Sequence, residues 1–181
     1  MIDRKSYVPG PASASLQSRE GELWTIVLIK ELRHAPELVW TAITEPGHLK
    51  EWAPFDADVS LGNQGATVQL TTVGAPSPHV TETKVTRADP PRRLEYSWGG
   101  NAMRWELEPQ DAGTRLTLWA AIDHHYVAMG ASGWHLCLDV LGYFLDETPL
   151  GRNVGPEAMG FAGWQTLHAA YAQKFGSRSD K

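Results

Sequence analysis

The tripeptide Asp123-His124-His125 is the part of the chain whose residue types point most directly to chemistry. Two imidazoles beside a carboxylate can bind a metal ion or act as an acid–base couple. If the preceding strand continues through them, adjacent side chains point to opposite faces of the sheet, so the two histidines cannot easily share one ion. We therefore predict no metal site and no catalytic residue, and we expect His124 to lie at the mouth of a binding cavity.

Other side chains that could do chemistry stand alone. Cys137 is the only cysteine, so neither an internal disulfide nor a cysteine-rich zinc site can form. Because Cys137 lies beside a stripe of leucines, we expect a buried and unreactive thiol. The sequence contains no Gly-x-Ser-x-Gly nucleophile elbow and no glycine-rich phosphate loop. It therefore predicts no cofactor.

Hydrophobic periodicity indicates the elements that must position these residues. Alternation from Leu23 to Leu32 predicts a strand, with Trp24 and Ile26 on its inner face. Pro36 and Pro46 are each suited to the first turn of a helix and predict two short helices. From residue 55 to 122, short alternating segments are separated by Gly, Pro, Asn and Asp, a pattern typical of an antiparallel meander.

The last third of the chain changes to a helical period. Trp134, Leu138, Leu141 and Leu145 form an apolar stripe at spacings of four, three and four. Pro and Gly residues then interrupt the pattern before a second helix is predicted from Pro156, with a buried face of Trp164, Leu167, Tyr171 and Phe175. The interruption can form either a lid over a cavity or an ordinary surface loop.

Whole-chain properties exclude several classes of partner. The 181 residues carry a net charge of −5 and contain no run of basic residues, which argues against nucleic-acid binding. No stretch of about 18 apolar residues predicts membrane insertion, and the amino terminus lacks the apolar core of a secretory signal. We expect a cytoplasmic protein with a flexible arm over residues 1–21, one domain over 22–176 and a tail over 177–181.

Four segments in a fixed order carry a family resemblance. They are Ala35-Pro36-Glu37-Leu38-Val39-Trp40 running on to Trp52, Pro90-Pro91-Arg92-Arg93-Leu94-Glu95-Tyr96-Ser97-Trp98, Gly113-Thr114-Arg115-Leu116-Thr117-Leu118, and Gly133-Trp134 with Leu138-Asp139 and Leu141. With these segments the chain resembles the START/Bet v 1-like (SRPBCC) superfamily, in the branch named after the activator of the heat-shock protein 90 ATPase. The resemblance implies a helix-grip α+β fold: a curved antiparallel sheet wrapped around a long carboxyl-terminal helix, with two short helices after the first strand.

The same resemblance implies a cavity between the sheet and the long helix that holds a hydrophobic or aromatic small molecule, such as a lipid. We accordingly predict these ligand-binding residues: Trp24, Ile26, Val68, Leu70, Tyr96, Trp98, Met103, Trp105, Leu107, Leu118, His124, Trp134, Leu138 and Leu141. The simpler interpretation is that most of these side chains fill an ordinary core.

Two other functions stay open. A cyclase or hydrolase would use His124 or His125 as an acid–base residue at the pocket mouth. A chaperone or regulator interaction module is weakly supported, because the eukaryotic co-chaperone of this branch uses a separate amino-terminal domain, which the residues before Leu23 are too few to form. For the assembly we expect a monomer or a homodimer.

Overall fold

Nine strands form two antiparallel sheets in the computed structural model, which describes residues 4–176. The larger sheet has the order β1-β2-β9-β8-β7-β6, and the smaller has the order β3-β4-β5. The strands are β1 Ser15–Glu20, β2 Leu23–Leu32, β3 Phe55–Ala57, β4 Thr67–Thr72, β5 His79–Lys84, β6 Arg87–Asp89, β7 Arg93–Trp98, β8 Asn101–Gln110 and β9 Gly113–Asp123. The predicted antiparallel meander is confirmed, and Gly99-Gly100 forms the hairpin turn between β7 and β8.

Five α-helices complete the described residues: α1 Pro36–Thr44, α2 Pro46–Trp52, α3 Val127–Leu145, α4 Gly155–Met159 and α5 Ala162–Phe175. The two short helices begin at Pro36 and Pro46, as the sequence predicts. The predicted final helix is divided, since α4 ends at Met159 and α5 begins at Ala162. On its apolar face Trp164, Leu167 and Tyr171 are buried as expected, whereas Phe175 is only partly buried.

The core lies between the large sheet and α3. Strand pairing places Leu118 of β9 beside both Leu28 of β2 and Trp105 of β8, so one sheet face is continuously apolar. Leu138 and Leu141 of α3 are also buried in this core. The helix-grip α+β fold that the resemblance implies is therefore confirmed.

The part of the expected flexible arm, residues 1–21, that the structure describes contains regular elements. A 3₁₀ helix forms at Arg4–Ser6, and β1 pairs with β2 at the edge of the sheet. An edge strand is held by backbone hydrogen bonds and needs few apolar side chains, so hydropathy does not reveal it. The predicted tail, 177–181, lies outside the described residues.

Residues 7–14, between the 3₁₀ helix and β1, run across α3 and α5. Tyr7 packs against Phe161 and Tyr143, with ring centroids 5.9 Å away in both cases. The backbone N–H of Ala14 donates to the Tyr171 hydroxyl at 3.1 Å. We call residues 7–14 the amino-terminal strap, because they tie the first strand to α3 and α5.

A group of polar side chains fixes α3 against β2 and the strap. Lys30 Nζ lies 2.7 Å from Asp139 Oδ1, and the Tyr7 hydroxyl donates to Asp139 Oδ2. His135 Nε2 lies 3.7 Å from the same carboxylate, and its Nδ1 lies 2.9 Å from the Tyr171 hydroxyl. Burial lowers the pKa of His135, which favours the neutral imidazole. We call these residues the Asp139 cluster.

Helix length and hydropathy within residues 4–176 also bear on membrane insertion. No helix in this range is long and apolar enough to cross a bilayer.

Candidate functional site

An apolar pocket of about 280 Å³ lies between one end of the large sheet and the amino-terminal half of α3. Because β7 and β9 both run antiparallel to β8, the carboxyl ends of these two strands lie at the same end of the sheet. Its lining residues come from the strand ends, α3 and the chain that follows α3. They are Pro54, Trp98, Ile122, Tyr126, Met129, Gly130, Gly133, Trp134, Cys137, Asn153, Val154, Gly155, Ala158, Met159 and Trp164.

Two indole rings give the pocket a fixed aromatic surface. Trp98 and Trp134 meet edge to face, with centroids 5.8 Å apart and planes at 83°. The Trp98 N–H donates to Thr72 Oγ1 at 3.2 Å, and Phe55 packs 5.2 Å from the Trp98 ring. Trp134 also contacts Trp105 at 5.7 Å. These contacts restrict both rings, so a ligand would meet a preorganised apolar wall.

Two glycines on one face of α3 make room for the pocket. Gly130 and Gly133 are three residues apart, so they lie on the same side of the helix. A methyl group at Gly130 would overlap the terminal carbon of Ile122, whereas one at Gly133 would meet no atom within 4 Å. Gly130 therefore allows β9 and α3 to approach closely, and the missing side chain of Gly133 leaves the space open.

This difference predicts opposite responses to alanine. Gly133→Ala should raise the free energy of unfolding by about 0.5–1 kcal/mol, because alanine is the better helix former and its methyl group meets empty space. Gly130→Ala should lack this gain, because its methyl group must displace Ile122. Urea denaturation of both variants measures the difference. Gly47→Ala, in an exposed helical position with equal free space, is the matched control and should resemble Gly133→Ala.

Finding the same gain at Gly130 as at Gly133 would contradict this packing. It would mean that α3 and β9 are not in close contact at Ile122.

The chain after α3 forms one wall of the pocket. Asn153, Val154 and Gly155 line it, and Arg152 anchors the segment by donating to Asp56 Oδ1 at 2.7 Å and to the Leu49 carbonyl at 3.0 Å. Gly155 has a φ of +64°, and a side chain there would come within 2.8 Å of the Gly74 carbonyl oxygen. The interruption therefore forms part of the pocket wall.

Cys137 is the more buried of the two lining residues that can ionise, the other being Tyr126. Its side chain is buried, and burial raises the pKa of the thiol to about 12. At neutral pH the group is a protonated thiol, which is a poor nucleophile. This agrees with the prediction of an unreactive cysteine.

The predicted ligand-binding residues divide between pocket and core. Trp98 and Trp134 line the pocket, whereas His124 lies on the turn beside it and is not among the lining residues. The others are buried in the packed interior: Trp24, Ile26, Val68, Leu70, Tyr96, Met103, Trp105, Leu107, Leu118, Leu138 and Leu141.

Sequence reasoning missed most of the pocket lining. Tyr126, Met129 and Met159 at its rim keep exposed fractions of 56%, 40% and 39%. The available signal was the Gly130–Gly133 spacing, which removes side chains from the helix face next to Trp134.

The condition for His124 and His125 to point to opposite faces, a strand that continues through both, is not met. The strand ends at Asp123, whose side chain accepts the backbone N–H of His125 at 2.9 Å and starts a 3₁₀ helix at His124–Tyr126. The two imidazole rings consequently lie on one side, with centroids 3.8 Å apart. We call His124–Tyr126 the histidine turn.

The family model described as activator of Hsp90 ATPase homolog 1-like protein matches residues 33–146. The chain belongs to this family. The AHSA1-like resemblance is thus confirmed, and membership supports a ligand-binding or regulatory module in general terms. No match was found among curated proteins.

Solved structures similar to this AHSA1-like chain show the same fold. CalU16 from Micromonospora echinospora is 24% identical with a TM-score of 0.67, over 91% of this chain and 98% of that one. EF2215 from Enterococcus faecalis, a conserved protein of unknown function, is 15% identical with a TM-score of 0.65, over 90% of each chain. The AHSA1-like protein from Aeromonas hydrophila is 17% identical with a TM-score of 0.57, over 68% of this chain and 92% of that one.

The family match covers the pocket only in part. Residues 33–146 include Trp98, Ile122 and the lining residues of α3, whereas the wall from Asn153 to Trp164 follows the matched region. The AHSA1-like core thus supplies the aromatic surface and the glycine face, and the chain beyond it closes the pocket.

Proposed function

We propose that this protein binds a neutral, apolar small molecule in the pocket between the sheet, α3 and α4. The apolar wall formed by Trp98 and Trp134 is the observation that carries the proposal. None of the lining residues carries a formal charge at neutral pH, so nothing at the wall would offset the desolvation of an ionic ligand. Asn153 and the Tyr126 hydroxyl offer polar contacts for one or two ligand atoms.

The size of the pocket limits the ligand. A volume of about 280 Å³ lies just below the range of about 300–1,000 Å³ for ligand sites. One or two fused rings, or a short acyl chain, suit this space better than a sterol. Apolar burial would supply about 25 cal/mol per Å² before the costs of association.

The rim of the pocket supports entry of a ligand. Tyr126, Met129 and Met159 are exposed there, although burial of large apolar side chains usually stabilises the folded protein. Methionine side chains are flexible and adapt to different apolar shapes. A rim of this kind can move aside for a ligand and close on it.

Binding is favoured over the cyclase or hydrolase alternative. The lining groups that can ionise are Tyr126 and the buried thiol of Cys137, whose raised pKa keeps it protonated. His124 and His125, the acid–base candidates, are not among the lining residues. A general acid or base must lie within hydrogen-bond reach of the proton it transfers, and the pocket wall offers no such histidine.

The proposal is tested by filling the pocket from the helix side. Gly133→Leu should weaken binding of the neutral fluorophore prodan by about tenfold or more, which corresponds to at least about 1.4 kcal/mol. The new side chain would occupy the space that the glycine leaves open, while leucine favours the helix. Prodan emission shifts to the blue in an apolar site, so a fluorescence titration measures the affinity.

Gly47→Leu is the matched control, since it places the same side chain on an exposed helical glycine of α2. Equal prodan affinities in the two leucine variants would overturn the proposal. If Gly133→Leu binds prodan more weakly than Gly47→Leu, native mass spectrometry of protein from its own cells would identify the natural ligand. That ligand should be absent from Gly133→Leu.

A further inference from the structure

The histidine turn brings together a group of side chains that the small-molecule pocket does not use. Glu22, His124 and His125 each offer one ligand atom, and these atoms lie within 4.8 Å of one another. His124 Nδ1 contacts Glu22 Oε2 directly. Two imidazoles and a carboxylate form a common donor set for zinc and similar divalent ions.

Backbone contacts hold these three residues in place. The His124 N–H donates to the Glu22 carbonyl at 2.9 Å, and Leu23 of β2 pairs with Asp123 of β9. Glu22 and His124 therefore lie at fixed positions beside the paired ends of β2 and β9. Such preorganisation lowers the entropic cost of collecting ligands from distant parts of a chain.

Asp123 supports the second histidine. Its Oδ1 lies 2.8 Å from His125 Nδ1 and also accepts the His125 backbone N–H at 2.9 Å. A carboxylate bound to one ring nitrogen orients the imidazole and leaves the other nitrogen to bind a metal ion. The His124 ring is likewise supported, by Trp24 at a centroid distance of 5.9 Å.

We propose that Glu22, His124 and His125 form a binding site for a divalent first-row transition ion, with zinc as its reference ligand. Three protein donors leave one or more coordination positions for water or for another ligand. In sequence, His124 and His125 stand between Ile122 and Tyr126, both of which line the apolar pocket. A bound ion would therefore lie next to the pocket rim, but its binding does not depend on the proposed small molecule.

The test is isothermal titration of tag-free protein with zinc chloride. We expect one ion per chain, and His124→Ala, His125→Ala and Glu22→Gln should each lower the affinity by about tenfold or more. His34→Ala is the matched control, because His34 Nε2 pairs with Asp146 Oδ1 at 2.7 Å but belongs to no three-residue donor group among residues 4–176. Circular dichroism of each variant checks that the fold is retained.

A second measurement places the ion. One equivalent of Cu²⁺ should quench part of the tryptophan fluorescence through Trp24, and Trp24→Phe should reduce this quenching while zinc still binds. Absence of zinc binding in the titration would overturn the proposal. So would affinities in the three site variants that match those of the parent protein and His34→Ala.

Discussion

Trp105→Ala is expected to lower the free energy of unfolding by about 3–5 kcal/mol, the usual cost of removing a buried tryptophan. The Trp105 side chain is fully buried, and its ring packs edge to face against Trp52 at 6.0 Å and Trp134 at 5.7 Å. Its indole N–H donates to the Tyr96 hydroxyl at 3.1 Å, so the substitution also leaves a buried hydroxyl without this donor. Urea denaturation monitored by circular dichroism measures the loss.

The comparison with Trp98 separates packing from binding. Trp98→Ala should cost less stability, because the ring is only partly buried, but it should weaken prodan binding by about tenfold. Trp105→Ala, or Trp105→Leu if the alanine variant is too unstable to purify, should weaken prodan binding less than Trp98→Ala does once unfolded protein is subtracted, because Trp105 only supports Trp134 and does not line the pocket. Equal losses of affinity at the two positions would mean that Trp105 also contacts the ligand.

The hydrophobic pattern of the sequence predicts which side chains face inward. Alternation along β7 and β8 predicts that Tyr96, Trp98 and Trp105 share an inner face, and the structure agrees. The proline-initiated helices and the apolar stripe of α3 are likewise predictable, because local propensity and burial act in the same direction. Periodicity reports which side of an element faces inward, and that is enough to indicate the fold.

The pocket could not be found in the same way. A wall of a cavity and a packed core are both apolar, so Trp98 and Trp105 look alike in sequence although only Trp98 lines the pocket. What distinguishes them is empty space, which is produced by Gly133 and by the return of the chain at Val154. The glycine spacing indicates a small helix face but not what packs against it, and the return of the chain is a long-range feature that no local period records.

The histidine turn was missed for a different reason. Asp123 is compatible with the end of a strand and also with the cap of a helix, and only the cap turns both imidazoles to one side. A change of one residue in where β9 ends therefore converts two separated histidines into one donor group. Element boundaries are where sequence patterns are weakest.

The Asp139 cluster explains why one of the family-like segments contains an aspartate next to the apolar stripe of α3. Asp139 follows Leu138 on α3, yet its side chain is only 13% exposed. It joins Lys30 of β2 and Tyr7 of the strap, three parts of the chain that are far apart in sequence. The aspartate is therefore a structural junction between the sheet, the long helix and the strap, and lies outside the apolar pocket lining.

Asp139→Ala is accordingly expected to lower the free energy of unfolding by about 3 kcal/mol. The substitution leaves the Lys30 ammonium, 29% exposed, without the carboxylate 2.7 Å away, and it leaves the Tyr7 hydroxyl without its acceptor. Lys30→Met combined with Asp139→Leu should be less destabilised than Asp139→Ala, because no uncompensated charge remains in the interior.

Glu31→Ala is the control: it breaks a surface pair with Arg115 and should cost at most about 1 kcal/mol. Chemical denaturation that found equal losses for Asp139→Ala and Glu31→Ala would show that the cluster is solvated rather than a junction, and the strap would then be held by the Ala14–Tyr171 hydrogen bond and the Tyr7 ring contacts alone.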